Sequence, residues 1–145
     1  MKLRSEMPEL NGATKWFNRK VAKHELIGEK ATLIHFWSIS CPLCKEDMQA
    51  INEFHKQFKE KLNVIAVHTP RSEQDLDVQK VEKTAEQLKM MHSLFIDHHM
   101  KLSDAFENEY VPAYYLFDRE GKLRYFQTGE SSLNLLTKRV HRMLK

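Results

Sequence analysis

The feature that most constrains this chain is a pair of cysteines, Cys41 and Cys44, separated by two residues; they are its only cysteines. Residues 32–37, just before the pair, form a short apolar run typical of a buried strand, and Cys44 begins a run of apolar residues at helical spacing. Pro42 suits the first turn of that helix, where its missing N–H is not needed. The sequence therefore predicts that Cys41 lies at a strand-to-helix junction.

This position predicts how the two thiols differ. Unpaired N–H groups at a helix start favour negative charge, so we expect Cys41 to ionise more easily than a free thiol and to act as the nucleophile. Cys41 is predicted to be the exposed sulfur, and Cys44, one turn further along, the shielded one. Cys41 would attack a disulfide of another protein, and Cys44 would resolve the mixed disulfide that results.

Other uses of a Cys-x-x-Cys pair fit the sequence less well. A closed zinc site needs four ligands, and only His92, His98 and His99 are candidates to complete one. A structural disulfide across so short a loop adds little stability. A c-type haem needs a His directly after the second cysteine, where Lys45 stands instead. We therefore expect no metal and no cofactor.

The length and charge of the chain limit the number of domains and the classes of partner to be expected. The chain has 145 residues, which indicates a single domain, 1–145. Its net charge of +3 is too small to indicate nucleic-acid binding, and no apolar run is long enough for a membrane span. The first ten residues lack the apolar stretch of a signal peptide. We therefore expect a cytoplasmic protein, and in that reducing compartment two adjacent cysteines are more typical of catalysis than of structure. We also expect the protein to be a monomer.

Hydrophobic periodicity predicts a mixed α/β fold. Beyond the central strand and helix, it predicts strands over 62–69, 94–96, 113–117 and 122–128, and helices over 78–88, 102–106 and from Ser131 onward. Near the N-terminus, 13–17 and 21–22 are predicted to pair as a small hairpin, and 118–121 is a predicted turn. Strands that alternate with helices indicate a mixed sheet with helices on both faces.

The segment Trp37–Cys44, WSISCPLC, resembles the thioredoxin active-site motif, and Val111-Pro112 stands where that family has its cis-proline. The insertion over 71–89 and the segment 7–27 resemble the TlpA/ResA branch. The stretches LIGEK, HFW and DAFENEYVP are similar to the YkuV-type thiol-disulfide oxidoreductases. The resemblance implies a thioredoxin-like three-layer α/β/α fold, with a central mixed β-sheet, an N-terminal extension and an inserted helix.

The resemblance also implies where a substrate docks. A cis Pro112 would face the cysteines and expose the backbone of Val111 to an incoming peptide, which would then pair with it like a strand. Trp37 would pack beside the disulfide and, with Pro42, shape the same docking surface.

Two departures from the thioredoxin pattern concern proton transfer. His35 stands where thioredoxins usually carry a buried Asp, so it either takes up a proton during resolution or is a buried neutral residue. The TlpA/ResA branch has a Glu near the cysteines, after the second main strand. The matching region, 68–73, places no carboxylate there, and Glu73 is a candidate only if the loop folds back.

These observations predict a thiol-disulfide oxidoreductase that acts on disulfide-containing proteins and is recharged by a thiol reductant. A cytosolic dithiol is kept reduced, which favours the reducing direction, although the sequence leaves the reduction potential open. A thiol peroxidase is an alternative, but the residues before Cys41 lack the Pro-x-x-x-Thr/Ser-x-x-Cys context. A copper- or zinc-binding protein of thioredoxin fold is another, but the copper carriers use Cys-x-x-x-Cys.

Overall fold

A computed structural model describes residues 1–129 and 132–145. Its elements, in chain order, are β1 (Lys15–Phe17), α1 (Lys23–Leu26), β2 (Ala31–Trp37), α2 (Pro42–Gln57), β3 (Leu62–His68), a 3₁₀ helix (Glu73–Leu76), α3 (Val78–Gln87), β4 (Ser93–Ile96), α4 (Lys101–Phe106), β5 (Ala113–Phe117), β6 (Leu123–Thr128) and α5 (Ser132–Met143). Six strands form one mixed sheet in the order β1-β4-β3-β2-β5-β6. The predicted helix start at Ser131 lies outside the described residues.

Strand β2 lies inside the sheet, and all seven of its residues are buried. It pairs in parallel with β3 and antiparallel with β5. A strand that is covered on both faces has a continuous apolar sequence, and the apolar run over residues 32–37 predicted such a buried strand. Successive side chains alternate between the faces, so Leu33 and Trp37 join one core cluster while Ile34 and Phe36 join the other.

The two clusters define two helical layers. Helices α2, α3 and α5 cover the face of Leu33 and Trp37, to which they contribute Cys44, Met48, Ile51, Phe54, Val81, Ala85, Leu136 and Val140. Helices α1 and α4 and the N-terminal segment cover the opposite face, to which they contribute Met7, Leu10, Leu26, Leu102 and Phe106. The predicted arrangement, a mixed sheet with helices on both faces, is confirmed.

The predicted hairpin of 13–17 with 21–22 is wrong. Strand β1 instead pairs antiparallel with β4, far along the chain. Asn18, directly after β1, has a positive φ of 69°, and its Nδ2 donates to the carbonyls of Met90 at 3.2 Å and His92 at 2.8 Å. These bonds fix β1 beside the entry to β4, so the short strand finds its partner through a long-range contact that local periodicity does not reveal.

The turn predicted over 118–121 is confirmed. The N–H of Gly121 donates to the carbonyl of Asp118 at 2.9 Å, and Gly121 has a φ of +78°, which suits a residue without a Cβ. None of the helices in the described ranges combines the length and apolar character that crossing a bilayer requires.

The loops that follow β2 and β3 leave the sheet at the same edge. The two strands are parallel neighbours, and Trp37, the last residue of β2, lies opposite His68, the last residue of β3. Side chains from the two loops can therefore meet beside the start of α2, as is usual at the carboxyl ends of parallel strands.

Candidate active site

Cys41 is the N-cap residue of α2, with Pro42 in the first turn. The Sγ of Cys41 accepts a hydrogen bond from the backbone N–H of Cys44 at 3.2 Å, and the two residues are joined by a disulfide with their Cα atoms 5.3 Å apart. The predicted strand-to-helix junction is confirmed. After reduction, the N–H groups of the helix start would stabilise a negative charge on Cys41.

The expected difference in exposure between the two cysteines is wrong for the disulfide form. Cys41 is 3% exposed and Cys44 is 2% exposed, and both belong to the core cluster of Trp37. Cys41 is drawn inward because its N–H closes a turn on the carbonyl of Ser38 at 3.1 Å. Within the motif Trp37–Cys44, the exposed residues are Ser40 and Pro42.

Three consecutive residues before Cys41 are held by side chains from β3 and the loop that follows it. The hydroxyls of Ser38 and Ser40 each donate to Oδ2 of Asp75 at 2.8 Å. Between them, the N–H of Ile39 donates to Nε2 of His68 at 3.2 Å. We call this arrangement the Asp75–His68 clamp, because it fixes both the backbone and the side chains of the segment 38–40.

Asp75 is the carboxylate that the sequence did not predict near the cysteines. Its residue is 1% exposed. Burial raises the pKa of Asp75, but hydrogen bonds from the Arg71 N–H and the two serine hydroxyls, with the nearby His68, outweigh burial, so the net pKa is lowered. Asp75 is therefore ionised at neutral pH. Glu73, the candidate considered from the sequence, is exposed.

His68 holds Ile39 as a neutral ring. Burial, and next to it the neighbouring His98, lower the pKa of His68 to about 4, although Asp75 opposes the shift. Because Nε2 accepts from the backbone, the neutral ring carries its proton on Nδ1. The ring lies edge-on to Trp37, with centroids 5.2 Å apart. In the sequence, the only indication of a role for His68 is its place at the end of a predicted strand.

His35 is bonded to a second buried histidine. Its Nε2 lies 3.0 Å from Nε2 of His92, so one ring donates and the other accepts. Burial lowers the pKa of His35 to about 3. The pKa of His92 is also well below its usual value, through burial and the neighbouring His35 and His55. Both rings are therefore neutral at physiological pH.

A further carboxylate lies one turn beyond Cys44 on α2. Asp47 is three residues on, and such residues are neighbours on a helix surface. The hydroxyl of Tyr114 donates to Oδ2 of Asp47 at 3.1 Å. Burial raises the pKa of Asp47, with the negative Glu46 adding to the shift and the Tyr114 hydrogen bond opposing it. Asp47 is not among the residues predicted for the site, although its spacing of three residues from Cys44 on a predicted helix indicates that the two side chains are neighbours.

The predicted docking residues lie beside this site. The Val111–Pro112 peptide bond is cis, and Pro112 is buried. Val111 is half-buried and packs against the core cluster that contains both cysteines. Trp37 is completely buried, so any part it plays in docking is as support from beneath. A groove of about 610 Å³ runs between the loops 69–71 and 108–111.

Within residues 1–129 and 132–145, no group of three or more His, Cys, Asp or Glu side chains is placed to hold a metal ion. The histidines considered as zinc ligands are dispersed. His92 faces His35, and His98 lies beside His68, with ring centroids 5.9 Å apart.

Comparison with known sequences identifies relatives. A model of the AhpC/TSA family matches residues 4–126. Thiol-disulfide oxidoreductase YkuV of Bacillus subtilis (strain 168) is 56% identical over 144 residues, which cover 99% of this chain and 97% of YkuV. Thiol-disulfide oxidoreductase ResA of Geobacillus thermodenitrificans (strain NG80-2) is 28% identical over 101 residues, covering 69% of this chain and 55% of ResA.

Comparison with solved structures also identifies thioredoxin-like proteins. The solution structure of a thioredoxin-like protein in the oxidized form matches with a TM-score of 0.93 and 56% identity, covering 99% of this chain and 97% of that one. A thiol-disulfide isomerase from Corynebacterium glutamicum matches with a TM-score of 0.80 over 99% of this chain and 96% of its own. At 16% identity, this second likeness shows the fold alone.

Proposed function

Because this chain belongs to the AhpC/TSA family of thioredoxin-like proteins, we propose that it reduces disulfide bonds in other proteins. It is a thiol-disulfide oxidoreductase, and its redox group is the Cys41–Cys44 pair. The observation that carries the proposal is the position of this disulfide, which links the N-cap of a long helix to its first turn.

The reaction proceeds by two thiol-disulfide exchanges. The Cys41 thiolate attacks one sulfur of the substrate disulfide, forms a mixed disulfide, and releases the other sulfur as a thiolate. Cys44, as a thiolate, then attacks the Sγ of Cys41, restores the Cys41–Cys44 disulfide, and releases the second substrate sulfur. Two electrons pass to the substrate, and a cellular thiol returns them to the pair.

The substrate is proposed to lie along the groove between loops 69–71 and 108–111, with its backbone against Val111. This groove adjoins the cysteines through Arg71, whose guanidinium Nη1 donates to the carbonyl of Ser40, the residue before Cys41. Pro42 and Trp37 thus have distinct roles in the proposal. Pro42 lies at the exposed surface, and Trp37 supports the site from the core.

The reducing direction can be tested by equilibrating the Cys41–Cys44 pair with reduced and oxidised glutathione. We expect a reduction potential of about −270 mV, as for a cellular reductant, and turnover of insulin disulfides in the presence of a thiol reductant. A reduction potential of about −120 mV would contradict the proposed direction. Hydrogen peroxide consumption, measured in parallel with the same reductant, should stay at the background rate. Rapid consumption would instead support a thiol peroxidase.

His35 is proposed to be a structural residue, not a proton acceptor. A base with a pKa of about 3 that is already bonded to His92 gains little by taking a proton from a thiol. We expect His35→Asn to change the single-turnover rate of mixed-disulfide resolution by less than about twofold, against 100-fold for a lost general base. Its free energy of unfolding should fall by about 1–3 kcal/mol, since His92 loses its partner.

Resolution can be followed by stopped flow from about pH 6 to 9, the range around the imidazole titration. His24→Gln, a change in an exposed histidine of α1, is the matched control. A tenfold or larger slowing by His35→Asn alone, with an altered pH profile, would return His35 to the mechanism.

A further inference from the structure

The Asp75–His68 clamp brings one negative charge to the residue next to the nucleophile. Three donors converge on a single oxygen of Asp75: the hydroxyls of Ser38 and Ser40 and the N–H of Arg71, each at 2.8 Å. Ser40 directly precedes Cys41 in the chain, so only one residue separates the carboxylate from the sulfur that would become a thiolate. The carboxylate is buried, and its charge is therefore screened less than a surface charge would be.

We propose that the Asp75 carboxylate makes the Cys41–Cys44 pair a stronger reductant, because its charge disfavours the Cys41 thiolate but not the neutral disulfide. This inference rests on the proposed function and deepens it by assigning a residue that tunes the same site. Asp75 acts through Ser40 and through its charge, so it is a positioning residue. The helix start of α2 stabilises the thiolate, whereas the negative charge of Asp75 destabilises it.

The other groups around Asp75 leave its charge largely uncompensated. Burial lowers the pKa of His68 to about 4, so this ring is neutral above pH 6, and burial also lowers the pKa of His98, which disfavours a positive charge on that ring. The positive group at the clamp is Arg71, which is exposed, so solvent screens it. On the 3₁₀ helix and at its end, Glu73 and Asp77 are negative and exposed. Among these groups, Asp75 is the charge that is both buried and bonded to the segment before Cys41.

The redox step in which this charge matters is the reduction of the disulfide by two molecules of glutathione. Two electrons pass to the Cys41–Cys44 disulfide, its S–S bond breaks, and glutathione disulfide forms. The product is a dithiol at low pH, whereas above the ionisation of Cys41 it is a thiolate and a thiol, with one proton released to solvent. Only the ionised product places a second negative charge beside Asp75.

The experiment compares the glutathione equilibrium constants of wild type, Asp75→Asn and Glu73→Gln at about pH 6, 7.5 and 9. At the highest pH, the equilibrium constant of Asp75→Asn should favour the reduced pair about tenfold more than that of wild type does, which corresponds to about 30 mV for a two-electron couple. The difference should shrink towards pH 6, where less of the Cys41 is ionised. Glu73→Gln removes an exposed carboxylate from the same 3₁₀ helix and should stay within about twofold of wild type throughout. Ionisation of glutathione itself is common to all three proteins and cancels.

An Asp75→Asn constant within twofold of wild type at pH 9 would overturn the proposal, as would a shift of equal size at every pH, which would indicate a structural effect. A wild-type potential typical of an oxidant would refute the proposed function but leave the ratio between variants meaningful. Should Asp75→Asn fail to fold, ¹³C NMR of reduced wild type supplies the test. The Asp75 carboxyl signal should shift as Cys41 ionises and should lose that step in Cys41→Ser; a signal without the step would overturn the proposal.

Discussion

Replacing Cys41 with Ser should lower the rate of insulin-disulfide reduction by about a thousandfold or more, because a serine hydroxyl does not ionise in the physiological range and cannot form the mixed disulfide. The N-cap position explains why the loss falls on this residue. Its Sγ accepts the N–H of Cys44, so the helix start is directed at the sulfur of Cys41. The variant should bind substrate but show no covalent adduct by mass spectrometry.

Replacing Cys44 with Ser should have a different result. The first attack by Cys41 remains possible, whereas resolution does not, so the mixed disulfide with the substrate should accumulate in a single turnover. Tryptic mapping should place the adduct on Cys41. Both variants lose the same disulfide, and in each the replaced side chain is almost fully buried. The two variants therefore serve as structural controls for one another. If Cys41→Ser traps the adduct and Cys44→Ser does not, the assigned roles are reversed.

Acid should destabilise this protein as soon as the pH falls below 6.5, the pKa of an unfolded histidine. Burial holds the pKa of His35 at about 3 and that of His68 at about 4, against 6.5 for the unfolded chain. A histidine whose pKa is lowered on folding binds fewer protons in the native state. Stability is therefore complete above pH 6.5 and is lost progressively as the pH falls below it. His92 adds to the loss in the same direction.

The expected size of this effect is large. At pH 5 the unfolded chain gains about 2 kcal/mol from protonating each of the sites His35 and His68, or about 4 kcal/mol together, against a typical free energy of unfolding of 5–15 kcal/mol. Asp75 does not contribute in this range, because a carboxyl whose pKa is lowered from 3.8 loses its stabilising effect only at lower pH. Urea unfolding at pH 7.5, 6 and 5 measures the loss.

A double variant, His35→Asn with His92→Asn, separates the histidines from other acid effects. It should be less stable than wild type at pH 7.5, because a buried hydrogen-bonded pair is replaced. Its further loss between pH 7.5 and 5 should be smaller than that of wild type, because two of the groups that bind protons on unfolding are gone. His24→Gln should retain the wild-type slope, since this side chain is exposed. An equal slope in the double variant would assign the acid sensitivity to other groups.

The sequence by itself determined the redox group and its placement. A proline at the first helical position, an apolar run before it and helical spacing after it are local signals, and together they place Cys41 at the start of α2. The two-residue period of a strand likewise places His35 on the same face as Leu33 and Trp37. The order of strands and helices indicated the mixed sheet, because each element buries its own apolar face.

Only the tertiary structure decided which partners these residues meet. No pattern in the sequence separates Asp75 from Glu73 or Asp77, yet of the three it is Asp75, on the 3₁₀ helix, that accepts hydrogen bonds from Ser38 and Ser40. Contacts of this kind join positions far apart in the chain, so they depend on how loops close and not on local periodicity.

Long-range contacts also account for the other differences between the sequence-based predictions and the structure. His35 bonds to His92, which is 57 residues away, and β1 pairs with β4 where the sequence suggested a local hairpin. Burial of Cys41 depends on the turn that closes on Ser38 and on the surrounding core, not on its offset from Cys44 along α2. The chain thus encodes the position of Cys41, the proposed nucleophile, locally, whereas the charge and hydrogen bonds beside it arise when β2, β3 and the loops at their carboxyl ends come together.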